Sequence, residues 1–233
     1  MNSIMDNRKK LILNTIIKEH IKTGAPVGSG VLVDKYKLNI SPATVRNEMA
    51  NLEEEGYIAQ PHTSAGRIPT EKAYNLHLKN LKEKKLPASE VANFESILKR
   101  KDEINFKRAA KEMARFSGNA IFWAFHKHNL YYTGISNLLS QPEFSQSDLI
   151  YDISLVIDRV DEVVNDIFDE VDFKTNVMLG SGNPFSGHCS TVLTKYKINN
   201  KIGMFGILGP LRMDYEKNLA LVNFISKKIS TGF

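Results

Sequence analysis

Cysteine is nearly absent from this chain. Of 233 residues only Cys189 carries a thiol, so no intramolecular disulfide can form and a reducing, cytoplasmic location is the default expectation. No apolar run approaches the ~18 residues of a bilayer span. The opening MNSIMDNRKK has no apolar stretch behind its basic residues, which argues against a secretory signal and a membrane partner. The six histidines are scattered, with none at i, i+4 from another and none in a metal-ligand spacing with cysteine, so no metal site is expected. Gly180-Ser181-Gly182 and Gly203, Gly206 and Gly209 lack the strand-to-helix turn and following Lys-Ser/Thr of a phosphate cradle, and read as strand-end turns. Cys189 falls in a strand-like run with no assignable base, so it reads as a buried structural thiol. No catalytic constellation can be assembled and no cofactor motif occurs, so the chain is not expected to be an enzyme. Internal repeats and low-complexity segments are also missing.

What is present is unevenly distributed. The formal net charge is +5. Residues 1–85 hold 14 Lys and Arg against 9 Asp and Glu, whereas residues 86–233 hold 17 of each. All the excess positive charge therefore lies in the first third. A basic module ahead of a neutral one suits a polyanion-binding head on a regulatory or assembly body; a merely solvated basic face would give the same numbers. At 42% hydrophobic and 24% charged the chain can bury a real core.

The first third reads as helices. Residues 8–22 place Leu13, Ile17 and Ile21 at i, i+4, i+8, and Thr23-Gly24 ends the run. A short helix over 29–36 is expected to pack Val31, Leu32 and Tyr36, and the LNIS stretch reads as a turn. Ser41 is a good N-cap, Pro42 suits the first helical position, and the third helix runs to about Glu55 before Gly56. Three helices with a tight turn between the second and third form a helix-turn-helix pattern. Tyr57–Gln60 and Arg67-Ile68 can then pair as two short strands around the loop 61–66, which makes a winged helix. Thr70 caps a helix over 71–84, and the stretch EKKLPAS breaks the pattern. Helices follow over 89–98 and 103–116.

From residue 119 the period changes. Ala120–Phe125 and Leu130–Ile135 read as strands joined by a turn at Lys127-His128-Asn129. A long amphipathic helix spans 148–168. Asn176–Leu179 is a short strand, and His188–Lys197 with Lys201–Leu208 forms a hairpin through Asn199-Asn200. A final helix, 214–230, is expected to bury Leu219, Val222, Ile225 and Ile229. This order indicates an antiparallel sheet with helices, an α+β body. The expected domains are 1–70, a winged-helix DNA-binding domain; 71–117, linker or dimerisation helices; and 118–233, the α+β domain.

The third helix carries the most chemistry. Val45, Met49 and Leu52 share one face and must pack inward. The opposite face holds Ala43, Asn47 and Ala50, flanked by Thr44, Arg46 and Asn51. An exposed face built on two alanines is unusual where Lys and Glu serve solubility, and it suits close entry into a major groove. Asn pairs bidentately with adenine and Arg with guanine, while Ser41, Pro42 and the helix N-terminus suit a phosphate. The same alanines could instead pack on a partner protein. In the loop behind, Thr63, Ser64, Gly66 and Arg67 read as the wing, with Gly66 allowing a tight turn and Arg67 free to meet the backbone or minor groove. His62 reads equally as a phosphate contact or as a positioning residue.

The stretch SPATVRNEMANLEEEGYIAQPHTSAGRIPT, residues 41–70, closely resembles the signature of the HrcA family of heat-inducible transcription repressors. GISNLLSQPEF, residues 134–144, and GILGPLRMDYEKNLALVNFIS, residues 206–226, are also similar to that family. The resemblance implies a winged-helix head, a GAF-like body and an inserted dimerising domain. It further implies a homodimer on double-stranded DNA at an inverted-repeat operator of chaperone genes, and dependence on the GroEL chaperonin. The chain is shorter than typical members, the shortening falling around residues 125–130. The helices at 71–84 and 89–116 are then the substitutes for dimer contacts. Two rival readings are a ligand-responsive regulator whose GAF-like body binds a small effector, and an assembly factor whose winged helix never meets DNA.

Overall fold

The computed structural model describes residues 6–37, 40–81, 84–145 and 147–230. The turn expected over LNIS includes residues 38 and 39, outside the described residues. The chain divides into two compact units, residues 1–81 and 82–233.

The first unit opens with α1 (Asn7–Thr23), whose N-terminus is capped by the Asp6 carboxylate accepting from the Lys9 N–H at 2.8 Å. Its apolar stripe, Ile12, Leu13, Ile16 and Ile17, is buried. Gly24, with φ 69°, closes it, its N–H donating to the His20 carbonyl. In α2 (Ser29–Tyr36) only Leu32 is fully buried, and Val31, expected inside, is 38% exposed. Val31 and Leu32 are consecutive, about 100° apart around the helix, so the orientation that seats Leu32 in the core turns Val31 toward solvent. In α3 (Pro42–Glu54) the capping Ser41 hydroxyl accepts from the Thr44 N–H at 3.1 Å, and Val45, Met49 and Leu52 are buried. Gly56, with φ 74°, ends the descent and turns the chain into β1 (Ile58–Ala59), which pairs antiparallel with β2 (Ile68–Pro69).

The helix after this hairpin, α4 (Glu71–Lys79), belongs to the first unit rather than to a separate linker. Ala73 and Tyr74 are buried, and α4 contacts α1 and β2. Thr70 fixes the junction: its hydroxyl donates to the Gly56 carbonyl at 2.8 Å and accepts from the Ala73 N–H at 3.4 Å. The helix is shorter than the 71–84 expected; residues 82 and 83 lie outside the described residues.

Glu19 is a buried charge that holds α1 to α2. It is 5% exposed, and its carboxylate accepts from Lys35 Nζ at 2.5 Å and from Tyr36 Oη at 2.7 Å. The Lys35 bond first, then the Tyr36 bond, holds the Glu19 pKa below its ordinary value, and the Tyr36 hydroxyl is pushed up to about 12. A depressed carboxylate pKa stabilises the fold above the unfolded-state value and ceases to do so as pH falls through the folded value. Glu19→Gln is therefore expected to cost the first unit about 1 kcal/mol in urea unfolding at pH 7, the Lys35 end being half-exposed. The gap between the two proteins should close below about pH 4.

The second unit begins with α5 (Ala88–Ile97) and α6 (Glu103–Ser117). A five-stranded sheet follows in the order β4-β3-β7-β6-β5, every pairing antiparallel. The strands are β3 (Ala120–His126), β4 (Asn129–Thr133), β5 (Asn176–Leu179), β6 (Cys189–Ile198) and β7 (Lys201–Pro210). The β6–β7 turn uses Asn199 and Asn200 at φ 46° and 65°, the two left-handed residues that a type I′ turn requires. Between β4 and β5 lie α7 (Ile135–Leu139), which begins where β4 was expected to continue, then α8 (Ser147–Asp158) and α9 (Val160–Ile167). The chain ends in α10 (Tyr215–Ile229), capped by Asp214.

Both faces of the sheet are covered. On one, Trp123 stacks between Phe106 of α6 at 5.1 Å and Phe205 at 4.6 Å, and its indole N–H donates to Tyr196 Oη at 2.9 Å. On the other, Phe122, Leu193, Met204 and Leu208 meet Leu138, Ile153, Val156, Val160 and Val164 from α7, α8 and α9. Cys189 is fully buried there, and burial pushes its thiol up to about 12, so it is inert packing. The helix expected over 148–168 is broken at Arg159 (φ −107°, ψ 9°). A straight helix of that length would run about 30 Å; the break lets both halves bury on one core. In α10 it is Leu221 that is buried, while Leu219 is only half-buried. α10 takes a register that seats Tyr215 first, its hydroxyl donating to the Leu211 carbonyl at 2.6 Å.

Candidate nucleic-acid interface

The residues singled out on the third helix lie where α3 meets solvent. Ala43, Arg46, Asn47 and Ala50 are exposed, and Thr44 is half-buried. Ser41 and Pro42 are exposed at the N-terminal end, but the Ser41 hydroxyl is already engaged as the cap and lies 2.9 Å from Thr44 Oγ1. Arg46 is steadied from α2, its Nε donating to Ser29 Oγ at 3.3 Å. The acidic end of α3 is tied into the head: Glu55 pairs with Lys9 at 2.5 Å and Glu53 with Arg67 at 2.8 Å. Glu54 remains exposed.

The wing is built differently from the sequence expectation. Its turn is closed by the Ala65 N–H donating to the His62 carbonyl at 3.0 Å, and the left-handed residue in it is Ser64, φ 70°. Asn, Asp and Gly tolerate that region better than Ser, so nothing in the residue type marked Ser64 for it. Gly66 does not have positive φ. It is required because a Cβ there would lie 2.5 Å from the Val27 carbonyl carbon and 2.8 Å from the Gly28 nitrogen. Val27 forms a bridge to Arg67, with the Val27 N–H donating to the Arg67 carbonyl at 2.8 Å and the Arg67 N–H to the Val27 carbonyl at 2.9 Å. The loop before α2 thus acts as a third strand against the wing. Pro61, His62, Thr63 and Ser64 are left exposed at the tip.

Arg67, expected as a free wing cation, is not free. Its Nε is bound to Glu53 and its Nη1 donates to the Ala65 carbonyl at 3.4 Å. It anchors the wing to α3. Arg67→Ala and Glu53→Gln are each expected to lower the stability of the first unit by under about 1 kcal/mol, as suits a partly exposed pair. The double variant should be no worse than the stronger single one in urea unfolding. Ser29, Glu53 and Val27 were not legible as contributors, because each acts on a residue 14 to 40 positions away in sequence.

The family model described as "HrcA protein C terminal domain" matches residues 40–219. A heat-inducible transcription repressor HrcA of Thermoanaerobacter sp. (strain X514) is 28% identical, over 97% of this chain and 96% of that protein. The alignment extends over 332 positions against the 233 residues here, so about a hundred positions of that relative have no counterpart. The repressor of the same name from Desulforudis audaxviator is 55% identical over 86 residues, 37% of this chain and 25% of that protein. Among solved structures, a protein titled "Crystal structure of a hypothetical protein at 2.2 A resolution" superposes with TM-score 0.81 at 19% identity, covering 97% of this chain and 99% of that one. That likeness shows the fold alone, helices combined with an antiparallel sheet. With most of its length matched by the family model, the chain belongs to the HrcA family.

Proposed function

We propose that this chain is a DNA-binding transcriptional repressor of heat-shock chaperone genes, acting as a dimer on an inverted-repeat operator. One observation carries the reading. The exposed face of α3 is small where it must approach a groove, at Ala43 and Ala50, and bears base-reading side chains, Arg46 and Asn47, between them. This face sits on the basic third of a chain whose relatives carry the name heat-inducible transcription repressor. Thr44, Arg46 and Asn47 read base edges. Ser41, Pro42 and the α3 N-terminus seat a phosphate. His62, Thr63 and Ser64 reach the flanking backbone, while Gly66 and Arg67 hold the wing in place. One head covers a half-site, so a dimer is needed for the inverted repeat, and the second unit supplies its interface. The role is non-catalytic and cytoplasmic, where the DNA is; no described helix is long and apolar enough to cross a membrane. The family resemblance adds a dependence on the GroEL chaperonin, which refolding yields with and without the chaperonin would measure.

Fluorescence anisotropy tests the reading directly. The full chain is titrated onto an inverted-repeat chaperone operator and onto a scrambled duplex, at ~50 and ~200 mM salt. A preference of ~10³ or more that persists at the higher salt is the expected result. Sequence-blind binding erased by salt would sink it. Sedimentation of the same sample reports the dimer.

A further inference from the structure

α8 is apolar on its outer face as well as its inner one. Ile153 and Val156 are buried in the core. Ile150, Tyr151 and Leu155 are 44%, 65% and 41% exposed. Helix positions four apart are neighbours, so Tyr151 and Leu155 form one row and Ile150, Ser154 and Asp158 the row beside it. Of these five exposed residues only Asp158 is charged. A helix that merely meets water is polar on that side, and one that is apolar all round is a buried helix. The apolar surface continues past α8. Tyr132, 44% exposed, lines a cleft of about 490 Å³ together with Ile157 and Asp158. A smaller cleft, about 220 Å³, lies at Asp152, Leu155 and Arg159. Residues 157 and 158 fall on the opposite flank of the helix from 152, 155 and 159, so α8 stands as a ridge between two clefts.

The surroundings of the ridge are acidic. Residues 147–172 hold nine Asp and Glu against one basic residue, Arg159, and Arg159 already pairs with Glu162 at 3.1 Å. Asp158 and Asp161 line the larger cleft and Asp152 the smaller. Among the described residues these three are in no ion pair. The cations beside the larger cleft are His128 and Lys127, and Lys127 is held by Asp169. The neutral balance of residues 86–233 thus conceals one strongly negative face.

Charge decides what covers the ridge. A second copy docked through the same face would set two strongly negative segments against each other, and like charges across an interface exclude a partner. A segment with basic residues around an apolar stripe gains from both the apolar rows and the carboxylates. We propose that the outer face of α8 docks a basic amphipathic helix of another protein. Its apolar side covers Tyr151 and Leu155, and its Lys and Arg residues meet Asp152, Asp158 and Asp161. The proposal does not rest on the operator reading. It gives the body a partner of its own.

The test is fluorescence anisotropy with a labelled peptide of about 18 residues, long enough to hold a helix, with leucine on one helical face and lysine on the other. It is titrated with the full chain at ~150 mM salt, where purely long-range attraction is screened. A peptide of the same composition, shuffled to have no apolar face, is the control. The patterned peptide is expected to bind at least about 10-fold more tightly, because only it can cover the apolar rows. Tyr151→Ser with Leu155→Ser should bring it down to the level of the shuffled peptide. Asp152→Asn with Asp158→Asn should weaken it at least about 5-fold. None of the four side chains is buried, so unfolding in urea and operator affinity without peptide should stay as they were. Equal binding of the two peptides would reduce the face to a solvated acidic surface and overturn the proposal, as would serine variants that bind like the parent. Loss of the dimer in sedimentation of the serine variant would assign the face to a second copy and overturn it too. If the double serine variant unfolds early, Tyr151→Ser alone decides, that ring being the most exposed of the three.

Discussion

Gly66→Ala is expected to cost the first unit about 3 kcal/mol, the upper end for forcing an added carbon into a filled site. The added carbon would meet backbone, 2.5 Å from the Val27 carbonyl carbon and 2.6 Å from its oxygen. Backbone cannot swing aside as a flexible side chain can. Relief requires breaking the two hydrogen bonds that lock Val27 to Arg67, at 2.8 and 2.9 Å, each worth about 1 kcal/mol. Gly28→Ala is the matched control, because a Cβ at Gly28 meets nothing within 4 Å. Urea unfolding should show the Gly66 variant shifted well to lower denaturant and the Gly28 variant nearly unmoved. Equal shifts would mean that the wing tolerates displacement and that Val27 does not hold it. Because the wing tip hangs on this contact, the Gly66 variant should also lose operator affinity under conditions where it is still folded.

Asn47→Ala carries the largest expected effect on recognition. Asn47 is exposed, and the side chains flanking it at Ala43 and Ala50 are small and exposed as well. A bidentate contact to adenine is worth about 1–3 kcal/mol of discrimination, so operator affinity should fall about 5- to 150-fold while a scrambled duplex is bound as before. Replacing a solvent-facing Asn should leave the unfolding curve in place. A loss of equal size on both duplexes would assign Asn47 to general backbone contact. No loss on either would move base reading to Arg46 and Thr44.

The two predictions draw on different sources. Asn47 was legible from the sequence because a helix has a fixed period: once Val45, Met49 and Leu52 turn inward, Asn47 must turn outward. The same logic made α1, α3, α6 and the β6–β7 hairpin readable, for caps, stops and turn residues act within a few positions of where they stand. Gly66 was legible as a residue of consequence, but for another reason than the true one. A glycine in a loop suggests positive φ, whereas Gly66 is there because Val27, nearly forty residues earlier, passes against it. Arg67 went the same way. Its type and place promised a free cation, and only the approach of Glu53 from α3 turned it into an anchor.

The sequence by itself determined the basic head, the order of helices and strands, the face of α3 that meets solvent, and the kinship with the HrcA family. All of these rest on local periodicity, local capping or a contiguous signature. Tertiary structure alone decided that α4 belongs to the head, that the long helix breaks at Arg159, and that Leu221 rather than Leu219 faces the core. Those outcomes depend on which distant surfaces compete for the same buried volume, and close packing settles that competition only when every element is in place.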